Sequence, residues 1–172
     1  MELLDDVQDA LNDNEINSEY IQELVDVLVN KCCDKLDAYI SYVAGKLNEE
    51  DYVLMDSELD DIVMTLPIQL YFVGTQQEKL GIRHDVSEAN RKLLYNRIYT
   101  DTVGTANVRK SAAELQLFNE DMVIVVYERA YNIIKSKVSF ATELLQSAKK
   151  ILSRRMAEFE LSKVTPNKIR GD

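Results

Sequence analysis

Glycine and proline are scarce in this chain, five and two among 172 residues. A barrel or sandwich needs a turn signal about every 8–12 residues, so those folds are excluded. Too little glycine remains for a phosphate-cradling loop, and neither a Walker lysine loop nor a G-x-G-x-x-G run occurs. Histidine appears once, as His84, and cysteine twice, as the adjacent Cys32 and Cys33. These residues cannot build an ordinary zinc site or a disulfide framework, which leaves packing in a reducing compartment as the reading for the cysteines. No apolar run approaches about 18 residues, so nothing is expected to span a membrane. The start, Met1-Glu-Leu-Leu-Asp-Asp, is too acidic for a signal peptide. Asp56, Glu58, Asp60 and Asp61 lack the spacing and glycine of a calcium loop, and acids there suit the positive end of a helix. His84 sits beside Arg83 and Asp85 without a nucleophile motif. The chain therefore reads as a non-enzyme with no cofactor and no metal.

What is abundant is charge, unevenly placed. The formal net charge is −10. Residues 1–62 hold 18 acids and 3 Lys, whereas residues 63–172 hold 17 bases and 12 acids. A mildly basic body thus stands behind an acidic front, an asymmetry that points to nucleic-acid contact or an acidic regulatory arm.

The periodicity is helical throughout. Leu3, Leu4, Val7 and Leu11 mark a short segment over residues 2–11. Ser18 offers an N-cap for a helix of about thirty residues, whose stripe runs Ile21, Leu24, Val25, Leu28, Cys32, Leu36, Tyr39, Ile40, Val43 and Leu47. Asp56-Ser57 caps the next run, with Ile62, Leu66, Leu70 and Val73 on one face and a kink or break expected at Pro67. Gly81 divides it from residues 82–99, so this part reads as one bent helix or two. Thr102-Val-Gly-Thr-Ala-Asn is the clearest turn signal. A short helix over residues 108–117 and a last helix from Asn119 to about Leu161 follow. The β-favouring run Val123-Ile-Val-Val is outvoted by the continuous stripe downstream, because a lone strand would have no partner.

On residues 82–99 the helical wheel puts Ile82, Val86, Ala89 and Leu93 on the apolar side. Arg91, Lys92, Tyr95 and Tyr99 fall opposite, within about a third of a turn. Cations hold phosphates and flat rings accept unstacked bases, so this face is a candidate for single-stranded nucleic acid. Lys149, Lys150, Arg154 and Arg155 form a second basic cluster. The unbroken stripe containing Val123, Tyr127, Ile134, Val138, Leu145 and Leu152 is the candidate self-association surface, since long helices with such stripes pair.

Several stretches carry a resemblance: Met55-Asp-Ser at a helix start, Leu70-Tyr71, the run Leu94-Tyr-Asn-Arg-Ile-Tyr-Thr-Asp-Thr-Val-Gly104, and Ile133-Ile-Lys-Ser-Lys137 in a long final helix. In order and spacing, over about 100 of the 172 residues, they resemble the UvsY-like recombination mediators of T-even phages. The resemblance implies an all-helical, ring-forming protein without enzymatic activity. Such a protein binds single-stranded DNA and helps load a RecA-like recombinase onto strands coated by single-strand-binding protein. It also implies a DNA segment of the form Lys-x-Arg, tyrosines, glycine. Here Arg97 takes the Arg position, Tyr99 stands near the tyrosines and Gly104 fits the glycine, while Tyr95 replaces the Lys and Lys92 or Arg91 stands one turn earlier. Arg97 lies nearer the apolar stripe than Arg91 does, so the wheel and the resemblance turn different sides of the helix towards DNA.

The expectation is an all-α protein, an elongated hairpin or bundle of long helices forming an oligomeric ring or larger bundle. It comprises an acidic helical region (1–55), a helical body (56–163) and a loose tail (164–172). The first functional reading is a single-stranded-DNA-binding recombination mediator in the host cytoplasm, homo-oligomeric and not membrane-bound. The alternative is a non-enzymatic helical phage protein whose acidic region binds or inhibits a basic host DNA-binding protein. A virion scaffolding protein is a third reading.

Overall fold

The computed structural model describes the backbone of residues 2–49 and 52–164, and the side chains of residues 17–49 and 52–163. The described chain is all-α. Its helices are α1 (Glu2–Leu47), α2 (Asp56–Asp101), α3 (Ala106–Gln116) and α4 (Phe118–Val164). No described helix is long and apolar enough to cross a membrane.

Helix boundaries shift from the sequence reading at several points. α1 runs through Ser18 without a cap, and the stripe expected over residues 2–11 lies outside the described side chains. α2 is capped one residue early: the Leu59 amide bonds the Met55 carbonyl, and Glu58 Oε2 accepts the Met55 amide at 2.9 Å. This is the backward half of a capping box. Of the two alternatives the sequence leaves open, α2 takes the single helix, running through Pro67 and Gly81. Pro67 removes one amide donor, but it lies exposed, where water can serve the carbonyl left over. Of the expected loose tail, Val164 is still helical and residues 165–172 lie outside the described residues.

The chain divides into two compact units, each built from parts of the long helices. The boundary expected at residue 55 falls inside the second unit. The first unit comprises Met1–Cys32 and Thr75–Lys135. Its core is Val25, Val29, Leu80, Ala113, Leu117, Val126, Ala130 and Ile134. Leu117, between α3 and α4, is 1% exposed and pins that corner. The second unit comprises Cys33–Gly74 and Ser136–Asp172. Its core is Cys33, Leu36, Val43, Leu59, Ile62, Leu66, Val73, Ala141, Leu145 and Ala148. Each fully buried Leu or Ile contributes about 1.5–3 kcal/mol.

Of the expected α1 stripe, Val25, Leu36 and Val43 are buried, and Ile21, Leu28, Cys32, Tyr39 and Ile40 are half-buried. Cys33 rather than Cys32 is sealed in the core, and Leu24 stands at the surface. Burial pushes the half-covered Cys32 thiol up from its ordinary value, which keeps it from acting as a thiolate.

Two further expectations are corrected. On α4, Ile134 is fully buried and Leu145 nearly so within the chain's own cores, so neither reaches a second copy in this fold. Tyr127, Val138 and Leu152 are half-buried, and only Val123 of that set is exposed. On α2 the wheel over residues 82–99 is inverted: Ile82, Val86 and Leu93 are 55%, 52% and 67% exposed. The covered side is Leu80, His84, Ser87, Arg91, Leu94, Tyr95 and Ile98. Apolar residues occur on both sides of this stretch, so hydrophobicity alone does not set its rotation. On the covered side Leu80 is buried and Arg91 meets an acid of α4.

Candidate nucleic-acid interface

The candidate site occupies the end of α2, the loop 102–105 and the start of α3. Between residues 91 and 110 there are five bases and one acid. Tyr95 and Tyr99, one turn apart, stack with ring centroids 6.1 Å apart and planes 17° from parallel. Both rings are half-buried, so the pair is held in place yet reachable from solvent.

Gly104 makes the turn that completes the stack. Its φ of +143° is strained for any side chain, and a Cβ there would stand 3.1 Å from Val108 Cγ1. Arg109 Nε donates to the Gly104 carbonyl at 3.0 Å, and its guanidinium lies 6.0 Å from the Tyr99 ring centre. The turn, the cation and the ring column therefore form one assembly. Thr102 Oγ1 donates to the Ile98 carbonyl at 2.7 Å and closes the last turn of α2.

The sequence-predicted residues are divided by this geometry. Lys92 is exposed, and so is Arg97, which reaches Asp101 at 3.8 Å across one helical turn. Such an exposed pair contributes little and leaves the cation available. Arg91 instead turns inward and forms a two-pronged pair with Asp121 of α4, its Nη2 donating to Oδ2 at 3.1 Å. That bond raises the Arg91 pKa further. Arg91 therefore organises the corner rather than facing solvent, which corrects the wheel. Arg109 and Lys110 were missed by the sequence reading. The signal was a basic pair opening the helix after a glycine turn. Lys110 is exposed, 3.7 Å from Glu114.

In the second unit Lys149, Lys150 and Arg154 are exposed, with Arg154 3.1 Å from Glu158. Arg155 leaves this cluster and pairs with Asp56 at 2.6 Å. The structure thus places the two candidate basic patches in different units.

Among the described residues, one group could hold a metal ion: His84, Asp85 and Glu88, with ligand atoms within 4.8 Å of one another. His84 Nδ1 lies 3.4 Å from Asp85 and Nε2 lies 3.9 Å from Glu88, on the opposite side of the ring. The two acids are exposed, and the arrangement is that of surface ion pairs. The chain matches no known protein family, no curated protein and no solved structure.

Proposed function

We propose that this chain is a non-enzymatic single-stranded-DNA-binding protein acting as a recombination mediator. In this role it presents bound strand to a RecA-like recombinase on DNA coated by single-strand-binding protein, as the resemblance to UvsY-like proteins implies. The observation that carries the DNA-binding reading is the Tyr95–Tyr99 stack capped by Arg109 on a corner rich in bases. Lys92, Arg97 and Lys110 supply phosphate contacts around it. The exposed parts of the rings supply a sequence-tolerant platform for unstacked bases.

The mechanism is electrostatic capture followed by stacking. Cations draw the polyanion in and release its counterions, so affinity falls steeply with salt. Base–aromatic contact then adds about 1–3 kcal/mol per base, with little sequence preference.

Fluorescence anisotropy of labelled oligo-dT at 50 and 200 mM salt tests this. Wild-type protein is expected to bind at low salt and weaken steeply at high salt, and Tyr99→Ala to weaken binding about tenfold or more. Failure to bind at 50 mM, or an affinity indifferent to salt, would overturn the proposal. Recombinase loading is tested separately, by whether the protein restores strand exchange on strands coated by single-strand-binding protein.

A further inference from the structure

Residues 1–30 contain nine acids and no base. An all-acidic stretch of helix is ordinarily a solvated face, yet this one borders an apolar opening. In the first unit, Tyr20, Leu24 and Val27 of α1 face Phe118 and Met122 of α4 across a cleft of about 480 Å³, which the buried Val126 also lines. Tyr20, Val27 and Phe118 are each more than half exposed, so the walls are apolar side chains that the described chain leaves open to water.

Shape and charge together describe the occupant. α1 lines the cleft from Asn17 to Leu28, three turns and about 16 Å at 1.5 Å per residue, and α4 lines it from Phe118 to Tyr127. A trough between two helices is filled by a third helix, whereas a compact small molecule would leave much of its length wet. Glu19, Glu23 and Asp26 are exposed and line a second groove that shares Val27 with the first. Each stands one residue before Tyr20, Leu24 and Val27 respectively, so a row of carboxylates follows the row of apolar side chains at the same spacing. No base lines either groove, which leaves this negative charge for a partner to neutralise.

We infer that the cleft receives a basic amphipathic helix of a partner protein. Its apolar residues, spaced three or four apart, fill the trough, and its Lys or Arg side chains lie against Glu19, Glu23 and Asp26. Apolar burial against Leu24, Val27 and Met122 drives the contact. The opposed charges speed encounter and select which way round the helix lies. An acidic amphipathic helix offers the same apolar face but meets three carboxylates, so it is rejected. The site uses residues 17–28 and 118–127 and is independent of the DNA-binding reading, which uses residues 91–110.

Isothermal titration of the full chain with a synthetic peptide tests the inference. The probe is a helix of about 18 residues with Leu along one face and Lys beside it. One control peptide carries Glu in place of Lys, and another has the same composition in an order that breaks the stripe. The basic peptide is expected to bind with a Kd of about 1 μM at about 50 mM salt, and each control about thirtyfold or more weakly. Leu24→Glu and Val27→Glu should each weaken the basic peptide about tenfold or more. The sign is diagnostic, because either variant makes the chain more acidic and attraction to net charge alone would strengthen. Met64→Glu, at a position 69% exposed in the second unit, adds the same charge outside the cleft and should leave binding within about twofold of wild type. The inference is overturned if the basic peptide does not bind, or if either control peptide binds as well. It is also overturned if either cleft variant binds like wild type while keeping wild-type helical circular dichroism. Tyr20→Glu replaces a cleft variant that loses helicity.

Discussion

The two units use their charges differently. In the second unit, side chains tie one helix to another. Lys137 donates to both oxygens of Asp37 at 2.7 and 2.8 Å, Tyr39 donates to Asp61 at 2.7 Å, and Arg155 reaches Asp56. Lys46 and Tyr52 both donate to Glu58. Burial and the Asp61 bond push the Tyr39 hydroxyl well above its ordinary pKa, so it remains a donor. In the first unit, among the described residues, the Arg91–Asp121 pair joins α2 to α4. Lys92, Arg97 and Lys110 remain at the surface there, as do Ile82, Val86 and Leu93. The second unit thus ties its helices together with more polar groups, while both units keep cations and apolar side chains at the surface. What distinguishes the first unit is the basic corner, where cations stand around a pair of stacked rings.

The largest expected effect lies in the cores. Leu66 is fully buried and Leu93 is 67% exposed. Leu66→Ala should cost about 2–5 kcal/mol in urea unfolding, and Leu93→Ala less than about 0.5 kcal/mol. Equal costs would mean that the covered and open faces of α2 do not differ in packing. Next comes the turn: Gly104→Ala should cost about 1–2 kcal/mol through its φ and the approach to Val108. It should also weaken oligo-dT binding, because the Arg109 bond to this carbonyl depends on the turn. Intact binding with lost stability would separate the turn from the site.

Asp121→Asn is expected to be milder. It strips Arg91 of its ionised partner at a site more than a third exposed, costing about 1 kcal/mol or less. At low salt it should strengthen oligo-dT binding about two- to fivefold, because an acid leaves the corner and a cation is released. Weaker binding would mean that Arg91 serves DNA only through its position.

The smallest effect is confined to acid. The bonds from Lys46, Tyr52 and the Met55 amide hold the Glu58 carboxyl down at about 2. The same carboxylate raises the pKa of Lys46 and of Tyr52. A depressed carboxyl contributes stability that is complete above its unfolded pKa, about 4.3, and is lost as pH falls towards 2. Urea midpoints at pH 5 and pH 2.5 should therefore differ less in Glu58→Gln than in wild type. An unchanged difference would show that other carboxylates carry the acid response.

Much of the fold is legible because it is local. The scarcity of turn residues and the recurring three- and four-residue spacing specify helices, and Gly104 marks the one tight turn between α2 and α3. The Val123-Ile-Val-Val run folds as helix, since it continues the α4 stripe over Val126, Ala130 and Ile134. What escaped is rotation about the α2 axis. Leu94 and Ile98 on the covered side compete with Ile82, Val86 and Leu93 on the open side, and a wheel that weighs only hydrophobicity chooses the wrong one. Arg109 escaped because it joins the site across the turn, not along one helix face.

Residue order alone determined that this chain is helical, where its main turn falls, and that acids gather at one end and bases at the other. Periodicity, glycine geometry and formal charge are properties of neighbouring residues and need no fold to be read. Only tertiary structure decided which side of α2 is covered, that Arg91 is held by Asp121, and that Tyr20, Val27 and Phe118 open onto one cleft. Those outcomes depend on groups far apart in the chain, whose pairing and burial exist only once the helices have packed.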